Sequence, residues 1–522
     1  MKRIIYSLVV IIGFASLSCS KAIEENPQGF LNDKTLFETE AGVQAVLTGC
    51  YERTASYYYF GLGYVQYVSL ASGAFWTNNT ATLPIAKMTA QATDAAANTT
   101  WREAYASINA VNGLIDGMSS SPVKESVKKQ VLGEGHFLRA VLYFNNVRLW
   151  GAVPLRLHIT TSEDLYMART PADKIYEQVI SDLQKAKDNL PAPGSVATGR
   201  PNKWAAYALL AKVYMTLAGN DQASPYWQKA YDEAIQVYNS NAYSLVRPFK
   251  DLYDVTKENS KESIFEIQFS MSGGPANGLT QTWMPSNSTY TPKQSTSPLA
   301  RVRAHKATFD DFRNTYPGDP RVNATFIYNS LQTNAGVTIQ VYPSTTAAST
   351  NGYPYVLKYA DPNYISAVSN SNFIYFRYAD VLLMLAEIEN ELQGPGGAYQ
   401  YINLVLTRAR DANGNGTIET TEVAPANWSG MSQDVFRQRI MLERRIELLS
   451  EGHEFFDTRR RGEAYLSAYL QSHNSHPKFN ATNDFLFPTD AASVKRLLLM
   501  PIPSDELNSN RLITPADQNF GY

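Results

Sequence analysis

The chain has 522 residues, enough for one large core or two ordinary ones. Its 46 basic and 48 acidic residues leave a formal net charge of −2, which argues against nucleic-acid binding, since that requires a basic face. Only 18% of residues are charged, while 33 are Tyr and 7 are Trp, a surface suited to uncharged or extended ligands that lie on rings.

At the N-terminus Lys2 and Arg3 precede "IIYSLVVIIGFASL", an apolar run shorter than a bilayer-spanning helix. "SLSCS" then sets Cys19 behind the small residue Ser18. The pattern predicts a lipoprotein signal peptide over 1–18 and lipidation of Cys19, with Ser16 standing where such signals usually carry Leu. Several acyl chains on one cysteine anchor stably where a single chain does not. Residues 19–37 read as a polar tether. Cys50, the only other cysteine, falls on a helical pattern and is expected to be a small core residue.

From 38 to 240 the apolar spacing is helical. Val43, Val46, Leu47 and Cys50 recur at threes and fours. "TTWREAYASINAVNGLIDGM" is expected to start at Thr100 with Glu103 closing a capping box. Tyr57 to Phe60, "YYYF", reads as core. "PNKWAAYALLAKVYMTLAG" and "YWQKAYDEAIQVYN" place Ala218, Ala230 and Ala234 where two antiparallel helices can approach closely. The pair resembles a tetratricopeptide repeat, and "YADVLLMLAEIENEL" with "GGAYQYINLVLTRAR" repeats the layout. Between 241 and 372 Gly, Ser, Thr, Asn and Pro dominate, with strand-like runs such as "SIFEIQFS". A stretch this long is expected to be ordered loops that face a ligand. Residues 373–522 return to helix within the same domain. The fold class is therefore mainly α: a tetratricopeptide-like helix-pair bundle with a loop-rich insertion containing short strands.

Several blocks together carry a family resemblance: the signal at Cys19, "LRAVLYFNNVRLWGAVPL", "FRYADVLLMLAEIENEL", "ERRIELLSEGHEFFDTRRRG", "LLLMPIPSDELNSN" and the terminal "QNFGY". In this order the chain resembles the SusD/RagB family of Bacteroidetes outer-membrane lipoproteins. The resemblance implies a surface-exposed lipoprotein of the outer membrane that binds nutrients, mostly glycans. It also implies delivery to a SusC-like TonB-dependent transporter. Peptide binding and a secreted glycan hydrolase are the alternatives; no G-x-S-x-G, HExxH or P-loop pattern supports an enzyme.

"LLSEGHEFFDTRRRG", 448–462, looks chemical but reads as structure. His453 lacks the second histidine of a zinc helix. Ile440, Ile446, Leu449, Phe455 and Phe456 are expected inside, so the neighbouring charges must pair, because an unpaired buried charge is costly. Arg439 and Glu443, one helical turn apart, are expected partners.

"DANGNGTIETTE" fits the calcium-loop pattern D-x-[DN]-x-[DN]-G-x₅-E through Asp411, Asn413, Asn415, Gly416 and Glu422, with Thr417 offering a carbonyl. A structural Ca²⁺ of modest affinity is expected there. Trp76 with Asn78 and Asn79, and Trp283 with Tyr290, are the candidate ligand-binding residues. Each group puts an aromatic plate beside amides or hydroxyls in a Gly/Asn/Ser-rich loop.

Overall fold

The computed structural model describes residues 33–275, 277–285, 287–291, 299–343, 352–365, 368–477 and 484–522. The signal peptide, Cys19 and most of the tether lie outside them. Thirteen helices set the frame: α1 Glu40–Thr54, α2 Gly63–Leu70, α3 Ala95–Met118, α4 Glu125–Trp150, α5 Ala172–Asn189, α6 Lys203–Ala218, α7 Tyr226–Asn239, α8 Lys306–Thr315, α9 Tyr378–Gln393, α10 Pro395–Arg410, α11 Gln433–Leu448, α12 Glu454–Arg460 and α13 Gly462–Asn474. Local chemistry fixes their ends. The Thr39 hydroxyl accepts from the Gly42 N–H at 3.1 Å to start α1, and Asn202 and Ser432 cap α6 and α11 in the same way. Gly219, at φ +61°, ends α6 in the left-handed region that favours glycine.

Consecutive helices pack as neighbours: α3 on α4, α4 on α5, α5 on α6, and α6 on α7. The stack then jumps the insertion, because α7 packs directly on α9, and α9 on α10 and α11. Ala230 and Ala234 of α7 are fully buried and Ala218 of α6 nearly so, which permits the close approach expected from the sequence. The strands are short and pair only in twos among the described residues, all antiparallel: β1 Phe75–Thr77 with β3 Val302–Ala304, β2 Ser263–Ile267 with β8 Phe373–Arg377, β4 Phe326–Ile327 with β7 Tyr355–Val356, and β5 Ser330–Gln332 with β6 Thr338–Gln340. Among the described residues no helix is long and apolar enough to cross a membrane. Cys50 is a buried free thiol, and burial raises its pKa to about 12.

Two local expectations are corrected. Helix α3 begins at Ala95, so Thr100 lies inside it; Glu103 instead accepts from Ser56 Oγ at 3.0 Å and pairs with Arg53 at 3.1 Å. Glu443 pairs not with Arg439 but with Arg321 of the insertion at 2.7 Å, and Arg439 lies over the Trp428 ring, 5.0 Å from its centroid. A long-range, fully buried partner outcompeted the neighbour one turn away.

The charged block forms a buried network. Glu447 accepts from Arg321 at 2.8 Å, from Arg377 at 2.7 Å and from Arg408. Glu262, in the turn just before β2, pairs with Arg377 at 2.7 Å and Arg408 at 2.6 Å, and Glu451 with Lys358 at 2.9 Å. The surrounding guanidinium groups hold the Glu447 carboxyl far below its usual range against the opposing effect of burial. A second cluster joins Asp380 to Lys212 at 2.6 Å and Arg444 at 2.9 Å, and Asp457 to Arg444 and Arg460 at 2.9 Å each. His453 sits here with its Nδ1 2.8 Å from the Lys212 ammonium, and burial drops its pKa to about 3. A neutral histidine locked in an ion-pair lattice is scaffold.

Candidate ligand-binding surface

β1 and β3 bring the two predicted loop regions together. Phe75 and Trp76 are successive strand residues and so face opposite ways. Both faces are covered. Phe75 meets Trp283 edge-on, with ring centroids 4.9 Å apart. Trp76 stacks on Tyr353 at 4.2 Å, with Arg303 5.8 Å from its ring. Trp283 lies on a single helical turn, Leu279–Trp283, and is 0% exposed; Trp76 is 7% exposed. The expectation that these rings stand open as plates is corrected: they anchor the insertion to the helical body. Pairing between strands so distant in sequence buried them, and local composition carries no sign of it.

Asn78, Asn79 and Tyr290 do reach the surface, Tyr290 at 37% exposure. The Asn79 N–H donates to Thr77 Oγ1 at 3.1 Å and its Oδ1 accepts from the Ala81 N–H at 3.2 Å, which fixes the turn beyond β1. The described contacts tie Tyr290's neighbour Thr289 to the Gln332 carbonyl of β5 at 3.3 Å, so Tyr290 borders the β5–β6 hairpin.

The structure adds a residue that the reading of "YYYF" as core missed. Tyr59 and Phe60 are fully buried, but Tyr58 is 57% exposed, more than any other Tyr, Phe or Trp among the described residues. It stands in the turn between α1 and α2, edge-on to the half-buried Tyr57 at 5.3 Å. Gly278 packs against Tyr57 so closely that a Cβ there would lie 2.7 Å from the ring, and the Gly278 N–H donates to the Gly61 carbonyl at 2.9 Å. Burial raises the Tyr57 hydroxyl pKa, Tyr58 adds to the rise, and the nearby Arg301 opposes it. The β1–β3 ladder ends at Thr77↔Val302, so Asn78 and Arg301 leave it at the same end. The signal available in the sequence was position: Ser56 and Gly61 bracket the tyrosines in an interhelical turn rather than on a helix face.

The loop 411–422 is closed by hydrogen bonds to its own side chains. Asp411 is buried; its Oδ1 accepts from the Gly414 N–H at 2.8 Å and its Oδ2 from the Gly416 N–H at 3.0 Å. Asn413 and Asn415 accept from the N–H groups of Asn415 and Thr417 at 2.9 and 2.7 Å. Glu422 closes the loop through the N–H groups of Ala412 and Glu419 at 2.9 and 3.0 Å. Arg247 also pairs with Asp411, at 2.6 Å, a cation already in place. No group of three or more His, Cys, Asp or Glu side chains among the described residues is arranged to hold a metal, so a cage here would rely on amides and carbonyls.

Glu258 and Glu266 are carboxylates that line one cavity, the kind of pair a hydrolase would use. Burial raises both, Glu258 to about 8. They line a cavity of about 20 Å³, room for a water and far too small for a sugar ring.

Two family models cover nearly the whole chain. The model of the SusD family matches residues 202–522. The chain belongs to the SusD family. A second model, described as starch-binding and associating with the outer membrane, matches residues 23–215. Among SusD-like relatives, protein P25 of Formosa agariphila is 25% identical over 98% of both chains, and protein P2 of the same organism 27% identical over 99% of both. A SusD homolog from Bacteroides thetaiotaomicron superposes with a TM-score of 0.75 at 22% identity, covering 94% of this chain and 98% of that one. A laminarin-binding SusD-like protein superposes at 0.69 and 22% identity, covering 93% and 100%. These likenesses show the SusD fold: a tetratricopeptide-like helical body carrying the loop-rich insertion.

Proposed function

We propose that this protein is a non-catalytic, cell-surface glycan-binding lipoprotein that hands its ligand to a SusC-like TonB-dependent transporter. Membership of the SusD family across the chain carries the reading. The laminarin-binding neighbour supports a glycan rather than a peptide as ligand. The turn-anchored amides Asn78 and Asn79 and the exposed rings beside the insertion supply the groups a sugar needs: amides for its hydroxyls and a flat apolar face. The cramped Glu258–Glu266 cavity argues against hydrolysis at that pair. The loop Asp411–Glu422 is proposed to take a structural Ca²⁺.

Affinity electrophoresis against a glycan panel, with chromatography of the incubated glycans, tests the binding role. Retardation without products is expected. Release of shorter sugars would overturn the non-catalytic reading, and binding of peptides but no glycan would favour the alternative ligand. Lipidation is tested separately: Cys19→Ala is expected to leave the outer-membrane fraction, and retention there would overturn the anchor.

A further inference from the structure

A cleft of about 530 Å³ lies where three distant parts of the chain meet: the N-terminal half of α3, the segment 154–166 and the short helix Ser504–Ser509. That volume is in the range of small-molecule sites, about 300–1,000 Å³. No residue of the β1–β3 ladder or of the turn beyond β1 lines it. Specific bonds hold the three parts together. The Tyr105 hydroxyl donates to the Pro154 carbonyl at 2.8 Å, and the Asp505 N–H to Asn98 Oδ1 at 3.1 Å. The Asn510 amide donates to the Met167 carbonyl at 2.8 Å and to Glu506 Oε1 at 2.7 Å. The Arg156 guanidinium is spent on the Asp164 and Leu165 carbonyls, at 2.7 and 2.6 Å.

The lining combines apolar wall with oriented acceptors. Tyr105 and Tyr166 are half-buried and keep part of their rings at the cleft, beside the exposed Leu165. Glu506 is held from two sides, accepting from Trp101 Nε1 at 3.1 Å as well as from Asn510. A carboxylate has about four acceptor positions, so about two stay open to hydroxyl donors. Asp505 beside it is exposed, and its carboxylate bonds to no described residue. Arg102 and Arg156 balance Asp505 and Glu506 in charge, which favours a neutral ligand over an ionic one. A peptide would gain most from a strand edge, and no strand lines the cleft. We infer that the cleft is a second saccharide site, taking a neutral sugar whose hydroxyls donate to Glu506 and Asp505 while its ring lies along Tyr105 and Tyr166. This rests on the glycan-binding reading and adds a second point of capture to it. A polymer that reaches both sites is held more firmly than either site alone would hold it.

The test uses the whole mature chain carrying Cys19→Ala, with laminaritriose, maltotriose and xylotriose as neutral probes too short to link two sites. Calorimetry reads stoichiometry and affinity, and circular dichroism confirms that each variant is folded. Ser509→Cys puts a thiol on the cleft wall, and a bulky maleimide on that thiol blocks the cleft, while the buried Cys50 stays unreacted. One trisaccharide is expected to bind at two per chain, and at one per chain after the block. Tyr166→Ala is expected to weaken one of the two sites about five- to thirty-fold, and Asp505→Asn to weaken the same site by a smaller factor. Asn78→Ala is expected to leave that site unchanged. Two sites that persist after the block, or a single site that the block leaves untouched, would overturn the cleft and leave the glycan reading standing. A single site that the block removes and Asn78→Ala spares would uphold the cleft and move capture away from the β1–β3 face. Block-sensitive binding of a random hexapeptide pool, with no trisaccharide bound, would overturn the saccharide assignment. Failure of every glycan, polymers included, would remove the glycan reading and the cleft with it.

Discussion

Trp283 and Asn78 now carry opposite expectations. Trp283 is wholly enclosed by Phe75, Tyr359 and the insertion, so Trp283→Ala should cost about 3–5 kcal/mol of stability through the cavity it leaves. Asn78→Ala should leave the melting temperature within a degree or so, in the manner of surface substitutions, and weaken glycan binding. Chemical denaturation beside calorimetry on both variants checks this; a Trp283→Ala protein of wild-type stability would mean that the ring is not an anchor. Glu447→Ala belongs with Trp283. It strands Arg321, Arg377 and Arg408 without their shared acceptor, and breaking a buried pair in this way costs about 3–5 kcal/mol. A normally folded Glu447→Ala protein that lost ligand would turn the charged block into a functional site.

At the level of elements, the calcium loop gives the sharpest test. Calcium should raise the melting temperature of the wild type, because a ligand that binds only the folded state stabilises it. Asp411 is a poor position for the control, since Asp411→Ala also strands Arg247 and would destabilise the protein in chelator as well. Glu422→Ala and Asn415→Ala are cleaner, as neither pairs with a charged side chain of opposite sign. Differential scanning calorimetry in calcium and in chelator should show a shift in the wild type and none in these two. Superimposable wild-type curves would eliminate the metal. Helices such as α6, α7, α9 and α10 were legible in the sequence because burial in a helix stack imposes the 3.6-residue period directly. The β1–β3 pair was not legible. It joins Phe75–Thr77 to Val302–Ala304, and nothing local in either stretch records the other. Trp76 and Trp283 were misplaced for that reason, and Tyr58 departs from the core expected of "YYYF" because the run occupies a turn that leaves one ring outside.

For the whole molecule, the ion-pair lattice dictates acid lability. Glu447, Asp380 and Asp457 are held far below their ordinary values by surrounding cations, and Glu451 at about 2. Burial holds His453 down at about 3. In each case the unfolded chain binds more protons than the folded one as pH falls, so stability drops with pH. The histidine contribution is lost from about pH 6.5 downward, and the carboxylate contributions from about pH 4.5 toward 2. Glu258 and Glu454, raised by burial to about 8 and 7, take up protons in the folded chain first and offset the histidine loss, so urea midpoints measured from pH 7 to 3 should stay nearly level to about pH 4.5 and fall steeply below it. A flat profile would show that the lattice contributes nothing to stability.

The direct packing of α7 on α9 makes the long insertion a graft on an otherwise continuous helical stack. A relative's insertion could thus be transplanted here to change what the protein captures. The lattice sets the compatibility rule for such a chimera. The incoming segment must bring a basic residue at the place of Arg321 and another at that of Lys358, because Glu443, Glu447 and Glu451 of the recipient wait for them in the interior. A donor lacking the first would deliver its loops intact and leave Glu443 without its counterion, while Glu447 would keep Arg377 and Arg408 and Glu451 would keep Arg377.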